Sequence, residues 1–234
     1  MSPIQQCAAA CVALLATGCG GSDSEGPVTA AACFDTATFA KGAEISQRLD
    51  RGTRLNWTVS PEVVTYNGVA NLLKISNNVV WEENLPGSHS YYSELYISPV
   101  STPQIMSYGT YYTGGSGSTL VRHSEVYSRP HIDKRFALKL GESVDFEYSG
   151  TSTTWSQYGP DAGTRITDFT TSGSVKFDGL EPVTIGERSV QACRFTEGVK
   201  SVWYYRGMQV QLTNPTRPIE SFRTLSLTRN GEAY

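Results

Sequence analysis

The chain has 234 residues, with 19 Lys and Arg against 22 Asp and Glu, a formal net charge of −3, five Cys and three His. Its basic residues are scattered rather than striped with aromatics, which argues against nucleic acid as a partner. Beyond the N-terminal segment no apolar stretch approaches membrane-spanning length, so a hydrophobic helix is not expected to hold this protein in a bilayer.

The N-terminus predicts export. Ala8 to Ala16 is an uninterrupted apolar run, about as long as a signal-peptide core and too short to span a membrane. It leads into Leu15-Ala16-Thr17-Gly18-Cys19, which resembles a lipobox, the recognition site for diacylglyceryl transfer and cleavage before the cysteine. Met1 to Gln6 carries no Lys or Arg, where signal peptides ordinarily begin positively charged. The composition then turns to Gly20-Gly21-Ser22-Asp23-Ser24-Glu25-Gly26-Pro27, a flexible polar tether. Gly20 after the cysteine is similar to the pattern of lipoproteins passed on to the outer membrane. The expected organisation is a signal peptide over 1–18, a tether over 19–34 anchored by lipid on Cys19, and one all-β domain over 35–234.

Cysteine usage agrees with an oxidising compartment. Cys7 and Cys11 leave with the signal peptide and Cys19 takes the lipid, so Cys33 and Cys193 remain to form one disulfide. Closing so long a loop is worth about 4–5 kcal/mol in the chain-entropy model.

From Asp35 onward helical periodicity is almost absent, with one short helix plausible at Asp35 to Lys41, and period-two alternation recurs. Leu55, Trp57 and Val59 alternate with Asn56 and Thr58. Val144, Phe146 and Tyr148 alternate with Asp145 and Glu147. Asn67-Gly68 between Val63–Tyr66 and Val69–Leu72 is a strong hairpin signal. Gly141-Glu142, Asp178-Gly179, Gly186-Glu187 and Arg206-Gly207 are expected to turn the chain in the same way. Longer breaks fall at Leu85 to Ser90, Gly114 to Ser118 and Gly159 to Gly163, and a lobe boundary is possible near 128–134. Consecutive strands joined by close turns describe an antiparallel meander, whose apolar face has to be covered by forming a barrel, a half-barrel or a sandwich.

The stretch from Gly179-Leu180-Glu181-Pro182 through Gln191-Ala192-Cys193-Arg194-Phe195, followed by Trp203-Tyr204-Tyr205 and Gly207, resembles β-rich lipoproteins of the proteobacterial envelope. These are similar in turn to the periplasmic half-barrels that carry lipoproteins or lipids. The resemblance covers roughly Arg135 to Arg229. It implies a curved antiparallel sheet whose concave face holds an acyl chain, and it carries no functional residue onto this sequence.

Catalytic constellations are weak. His123-Ser124-Glu125 and His131-Ile132-Asp133 each place an imidazole and a carboxylate on one strand face. If the chain reversed across Ser128-Arg129-Pro130, His123, Glu125, His131 and Asp133 would converge as ligands for a zinc-like ion. Arg129 and Pro130 favour an irregular connection that spoils this register, so no metal or other cofactor is expected. Gly114-Gly115-Ser116-Gly117-Ser118 falls short of a nucleophile elbow, because Ser118 stands where that motif needs glycine. His89, His123 and His131 do not single out a Ser-His-Asp set. Glu82 and Glu83 point to opposite faces, and Asp145 and Glu147 share a solvated one, so no glycosidase pair emerges. Trp57, Trp81, Trp155, Trp203 and the pairs Tyr91-Tyr92, Tyr111-Tyr112 and Tyr204-Tyr205 read mainly as packing, with only one of each adjacent pair facing inward. The sequence thus predicts a non-enzymatic, lipid-anchored envelope protein that binds an apolar ligand or a protein partner on a β surface. The alternatives are a secreted hydrolase or metal-dependent enzyme, and a structural or adhesion scaffold.

Overall fold

The computed structural model describes residues 28–81, 90–116, 119–157 and 162–234. The signal peptide, Cys19, the tether through Pro27, and Glu82, Glu83, His89 and Ser118 lie outside the described residues.

The chain is all-β. Its strands are β1 (Glu44–Leu49), β2 (Thr53–Val59), β3 (Val64–Tyr66), β4 (Val69–Trp81), β5 (Ser90–Ile97), β6 (Ile105–Ser116), β7 (Thr119–Asp133), β8 (Ser143–Ser156), β9 (Gly163–Ile185), β10 (Arg188–Glu197), β11 (Lys200–Tyr205), β12 (Met208–Thr213), β13 (Phe222–Arg229) and β14 (Glu232–Ala233). Every pairing is antiparallel and follows chain order, except that β3 hangs on β4 and β14 on β13. β1 also pairs with β13, Ile45 opposite Arg229, and this closes a ring of twelve strands among the described residues. The meander therefore ends as a closed barrel, not the half-barrel or sandwich left open by the sequence.

Local chemistry explains most of the turns. Asn67 (φ 48°) and Gly68 (φ 80°) both take the left-handed conformation that a two-residue hairpin between β3 and β4 requires. Gly186-Glu187 joins β9 to β10 and Arg206-Gly207 joins β11 to β12, as expected. Gly141-Glu142 also turns the chain into β8, but what precedes it is a 3-10 turn over Arg135–Ala137 rather than a strand.

One expected turn is absent. Asp178-Gly179 is not a hairpin: β9 continues for 23 residues, and the pair forms a bulge in which Phe177 opposes Phe195 while Gly179 opposes Arg194. Near 128–134, where the sequence leaves a lobe boundary possible, β7 runs on to Asp133. Pro130 is tolerated there because β8 pairs only as far as Tyr127 and the β6 register jumps from Val126 to His131. The proline nitrogen stands where no ladder bond is asked of it.

Alternation decides which residues face inward. Ile45, Gln47, Trp57, Val59, Leu73, Ile75, Leu95 and Ile97 fall on one face of β1, β2, β4 and β5, and all but Trp57 and Leu95 are buried. The opposite face carries Lys74 and Glu94 on β4 and β5, and the exposed Asp145 and Glu147 on β8. Charges at mid-strand suit a wall that meets water rather than hydrocarbon. Burial alone would raise Glu94, but hydrogen bonds from Tyr92, Tyr96 and Lys74 more than reverse this and lower its pKa.

Twelve strands enclose more space than their own side chains readily fill. The segment before β1 supplies the extra volume. Ala30–Cys33, expected from composition to end the tether, instead forms a 3-10 turn packed against the barrel, with Ala30 and Cys33 buried. Thr29 bridges to Lys139, and Ala30 N donates to Leu138 O at 2.9 Å. The helix expected at Asp35 to Lys41 is a single 3-10 turn, Thr36–Phe39, capped by Asp35 accepting from Ala37 N at 2.9 Å. Cys33 and Cys193 are disulfide-bonded, 160 residues apart, inside an aromatic cluster with Phe136, Phe177 and Phe195.

Candidate functional site in the barrel interior

The inner face of β1, β2, β4 and β5 does not close completely against the N-terminal segment. A cavity of about 300 Å³ remains, walled by Phe39, Leu55, Trp57, Val59, Ile75, Leu95, Ile105, Met208 and Phe222. It is an apolar chamber within a barrel, the arrangement in which barrel proteins hold small molecules.

Several polar groups reach the same wall, and the protein satisfies them itself. Thr38 donates to Arg206 O at 2.6 Å and also meets the Tyr234 hydroxyl. Gln47 Nε2 donates to Gln209 O at 2.8 Å and to Thr224 Oγ1 at 2.6 Å. Asp133 accepts from Arg135 Nε at 2.7 Å, and Arg135 Nη1 reaches Glu197 at 2.5 Å and the Tyr204 hydroxyl at 2.6 Å. Burial works against the Arg135 charge, but Tyr204, Asp133 and Glu197 outweigh it and raise its pKa. These groups hold the wall together rather than offer themselves to a ligand.

The same inner face changes character along the ladder. Ser93 opposes Tyr112, which opposes His123, which opposes Thr154. Leu95, Thr110, Glu125 and Ser152 form the adjacent row. His123 Nδ1 lies 2.8 Å from Thr154 Oγ1 and its Nε2 lies 3.3 Å from Glu125 Oε1. Thr110 donates to Glu125 Oε2 at 3.4 Å. The His123 ring stacks on Tyr112 with centroids 4.7 Å apart, and Tyr112 stacks on Tyr91 at 5.6 Å. Tyr91 and Tyr112 thus face inward while their neighbours Tyr92 and Tyr111 face outward.

The four residues proposed as metal ligands are not brought together. His123 and Glu125 are neighbours, but His131 lies eight positions further along the same strand and opposite Ser107, five positions along β6 from the Tyr112 that opposes His123, about 16 Å away at strand rise. His131 packs against Tyr148 (4.7 Å) and Phe146 (5.8 Å), and Asp133 is taken by Arg135. The reversal that would have paired the two halves does not occur, for the reason given at Pro130. Among the described residues no group of three His, Cys, Asp or Glu could hold a metal ion. Burial lowers the His131 pKa from its ordinary 6.5, Asp133 opposes this and Arg135 reinforces it.

Two side chains of the inner face, of which Trp57 lines the cavity, were not singled out by the sequence as a pair. Trp57 and Asn77 directly oppose each other across β2 and β4, and neither Trp57 Nε1 nor Asn77 Oδ1 has a hydrogen-bond partner although both atoms are buried. They are 20 positions apart, so only the strand register unites them. Compared with known proteins, the chain matches no family model, no curated protein and no solved structure.

Proposed function

We propose that the protein is a non-enzymatic component of the bacterial cell envelope, anchored by lipid on Cys19 at the outer membrane and facing the periplasm, which holds a small apolar molecule inside its barrel. The observation that carries this reading is the apolar cavity of about 300 Å³, lined by inward-facing residues and the N-terminal segment. The volume is about twice the ~150 Å³ that accepts a benzene ring, so it suits roughly a dozen heavy atoms. The lipobox and the Cys33–Cys193 disulfide support an exported setting. The resemblance to envelope carriers points the same way.

The test is a native mass spectrum of protein extracted gently from its own envelope, compared with a denatured one. A non-covalent adduct that vanishes on denaturation is expected. Bare protein that also fails to take up an apolar fluorescent dye defeats the reading. The anchor has a separate test: Cys19→Ala should move the protein out of the membrane fraction, and persistent attachment refutes the lipid.

A scaffold role has one observation in its favour. β9 pairs with β8 from Gly163 but with β10 only from Val175, so residues 163–174 have no strand on their other side among the described residues. Self-association in sedimentation velocity that Thr167→Pro abolishes supports that second reading, and a concentration-independent monomer removes it.

A further inference from the structure

Single exposed apolar side chains are ordinary on a protein surface, whereas adjacent ones call for a partner. Leu140, Val28 and Leu180 are 56, 40 and 38 % exposed, and the fold sets them side by side. Leu140 N donates to Val28 O at 3.0 Å, and Gly141 N donates to Phe177 O at 2.9 Å, which lays the turn before β8 onto β9. A Cβ on Gly179 would come within 3.2 Å of Leu140 Cδ1, so Leu140 rests directly on that strand. Leu180 is the next residue and opposes Cys193, whose Sγ lies 3.5 Å from Ala30 O, two residues from Val28. The three side chains thus form one apolar patch around the point where the N-terminal segment meets the barrel.

That point also selects the occupant. Only residues 20–27 separate Val28 from Cys19, a span of about 30 Å at full extension. We infer that the patch seats on the lipid bilayer that holds the anchor, with Leu140, Val28 and Leu180 entering the boundary between headgroups and acyl chains. This rests on the reading that Cys19 carries lipid. So short a connection makes the seating intramolecular, and three side chains suffice where an untethered protein would need a larger apolar area. Ile166 offers the contrast. It is 66 % exposed and equally apolar, but it stands 14 positions before Leu180 on β9, on the order of 40 Å away at strand rise. A domain seated on the patch holds Ile166 clear of the membrane.

The experiment uses the full chain, exported and processed by its own cell. It is reconstituted into vesicles of phosphatidylethanolamine and phosphatidylglycerol doped with a phospholipid spin-labelled on its acyl chain. Lys139→Cys, beside the patch, or Ile166→Cys carries a nitrobenzoxadiazole fluorophore; Cys33 and Cys193 are bridged and do not compete for it. Quenching at position 139 should exceed that at 166 by roughly twofold or more, and adding Leu140→Ser with Leu180→Ser should bring it down to the level at 166. Leu140→Ser alone carries the same comparison should the pair fail to fold. Equal quenching at the two positions overturns the seating and leaves the anchor standing. So does quenching at 139 that survives the serine replacements while the protein stays on the vesicles, since the short connection alone then accounts for it. Protein absent from the floated vesicle fraction overturns the anchor and the seating together.

Discussion

His123 and His131 stand on one strand and one face of the barrel, and their surroundings differ completely. Around His123 the ladder supplies Thr154, Glu125 and a Tyr112 ring, so each polar group answers another. Around His131 it supplies Phe146 and Tyr148, and burial lowers the pKa of the ring. The difference follows what the N-terminal segment and its disulfide cover. Where they fill the barrel, the inner face is Phe, Ile, Leu and Val. Where Tyr91, Tyr112, Ser152 and Thr154 line it, the wall is polar and self-satisfied. An inner face therefore does not imply one chemistry, and the orphaned atoms of Trp57 and Asn77 lie at the boundary: Trp57 packs against the apolar clusters, while Asn77 opposes Ser93, the start of the polar row.

Breaking the apolar region should have the largest effect. Replacing both Cys33 and Cys193 with Ser removes a cross-link over 160 residues and is expected to cost about 4–5 kcal/mol in a urea titration. Phe39→Ala empties a buried ring from the segment that seals the cavity, at about 3 kcal/mol by the same measurement. Asn77→Leu reverses the sign: it replaces an unpaired buried acceptor with carbon and should stabilise the ligand-free protein by about 1 kcal/mol. In the polar region, His123→Ala loses partly exposed contacts, so a change below about 1 kcal/mol and unaltered apolar dye binding are expected. A large loss of dye binding in that variant would show that the two regions act as one site.

The smallest effect separates the histidines by pH. His131 has a folded pKa below its ordinary 6.5, so the unfolded chain takes up the proton first as the medium acidifies. Its contribution to stability is present above about pH 6.5 and is lost as pH falls from there toward the folded value. Stability measured between about pH 7.5 and about pH 5 should therefore flatten in His131→Phe. An unchanged slope would move the origin of acid sensitivity elsewhere.

Much of the fold was legible from neighbouring residues. The Val144, Phe146 and Tyr148 face, the Asn67-Gly68 hairpin and the Cys33–Cys193 bridge each follow from a local rule or from elimination. Asp178-Gly179 misled because a bulge and a hairpin ask for the same dipeptide, and only the strand paired alongside distinguishes them. Pro130 misled in the opposite direction, since its missing N–H matters only where a ladder bond is due. Barrel closure was not legible, because the β1–β13 pairing joins residues at opposite ends of the domain. For the same reason the Trp57–Asn77 pair could not be foreseen. Each residue reads as ordinary, and the pair exists only in register.

Closure at β1 and β13 also orders events in time. Glu44 N donates to Asn230 Oδ1 at 2.9 Å across 186 residues of sequence. The strand that seals the ring is thus among the last to emerge during synthesis, while β1 is among the first. Until β13 arrives, the sheet carries two unsatisfied edges, each a template for pairing with another chain. Contacts this distant in sequence also form slowly, since loop closure precedes any gain from the pairing. The interval between the two strands is when this chain is most open to aggregation, and a copy stalled or cut before Phe222 has no means of ending it.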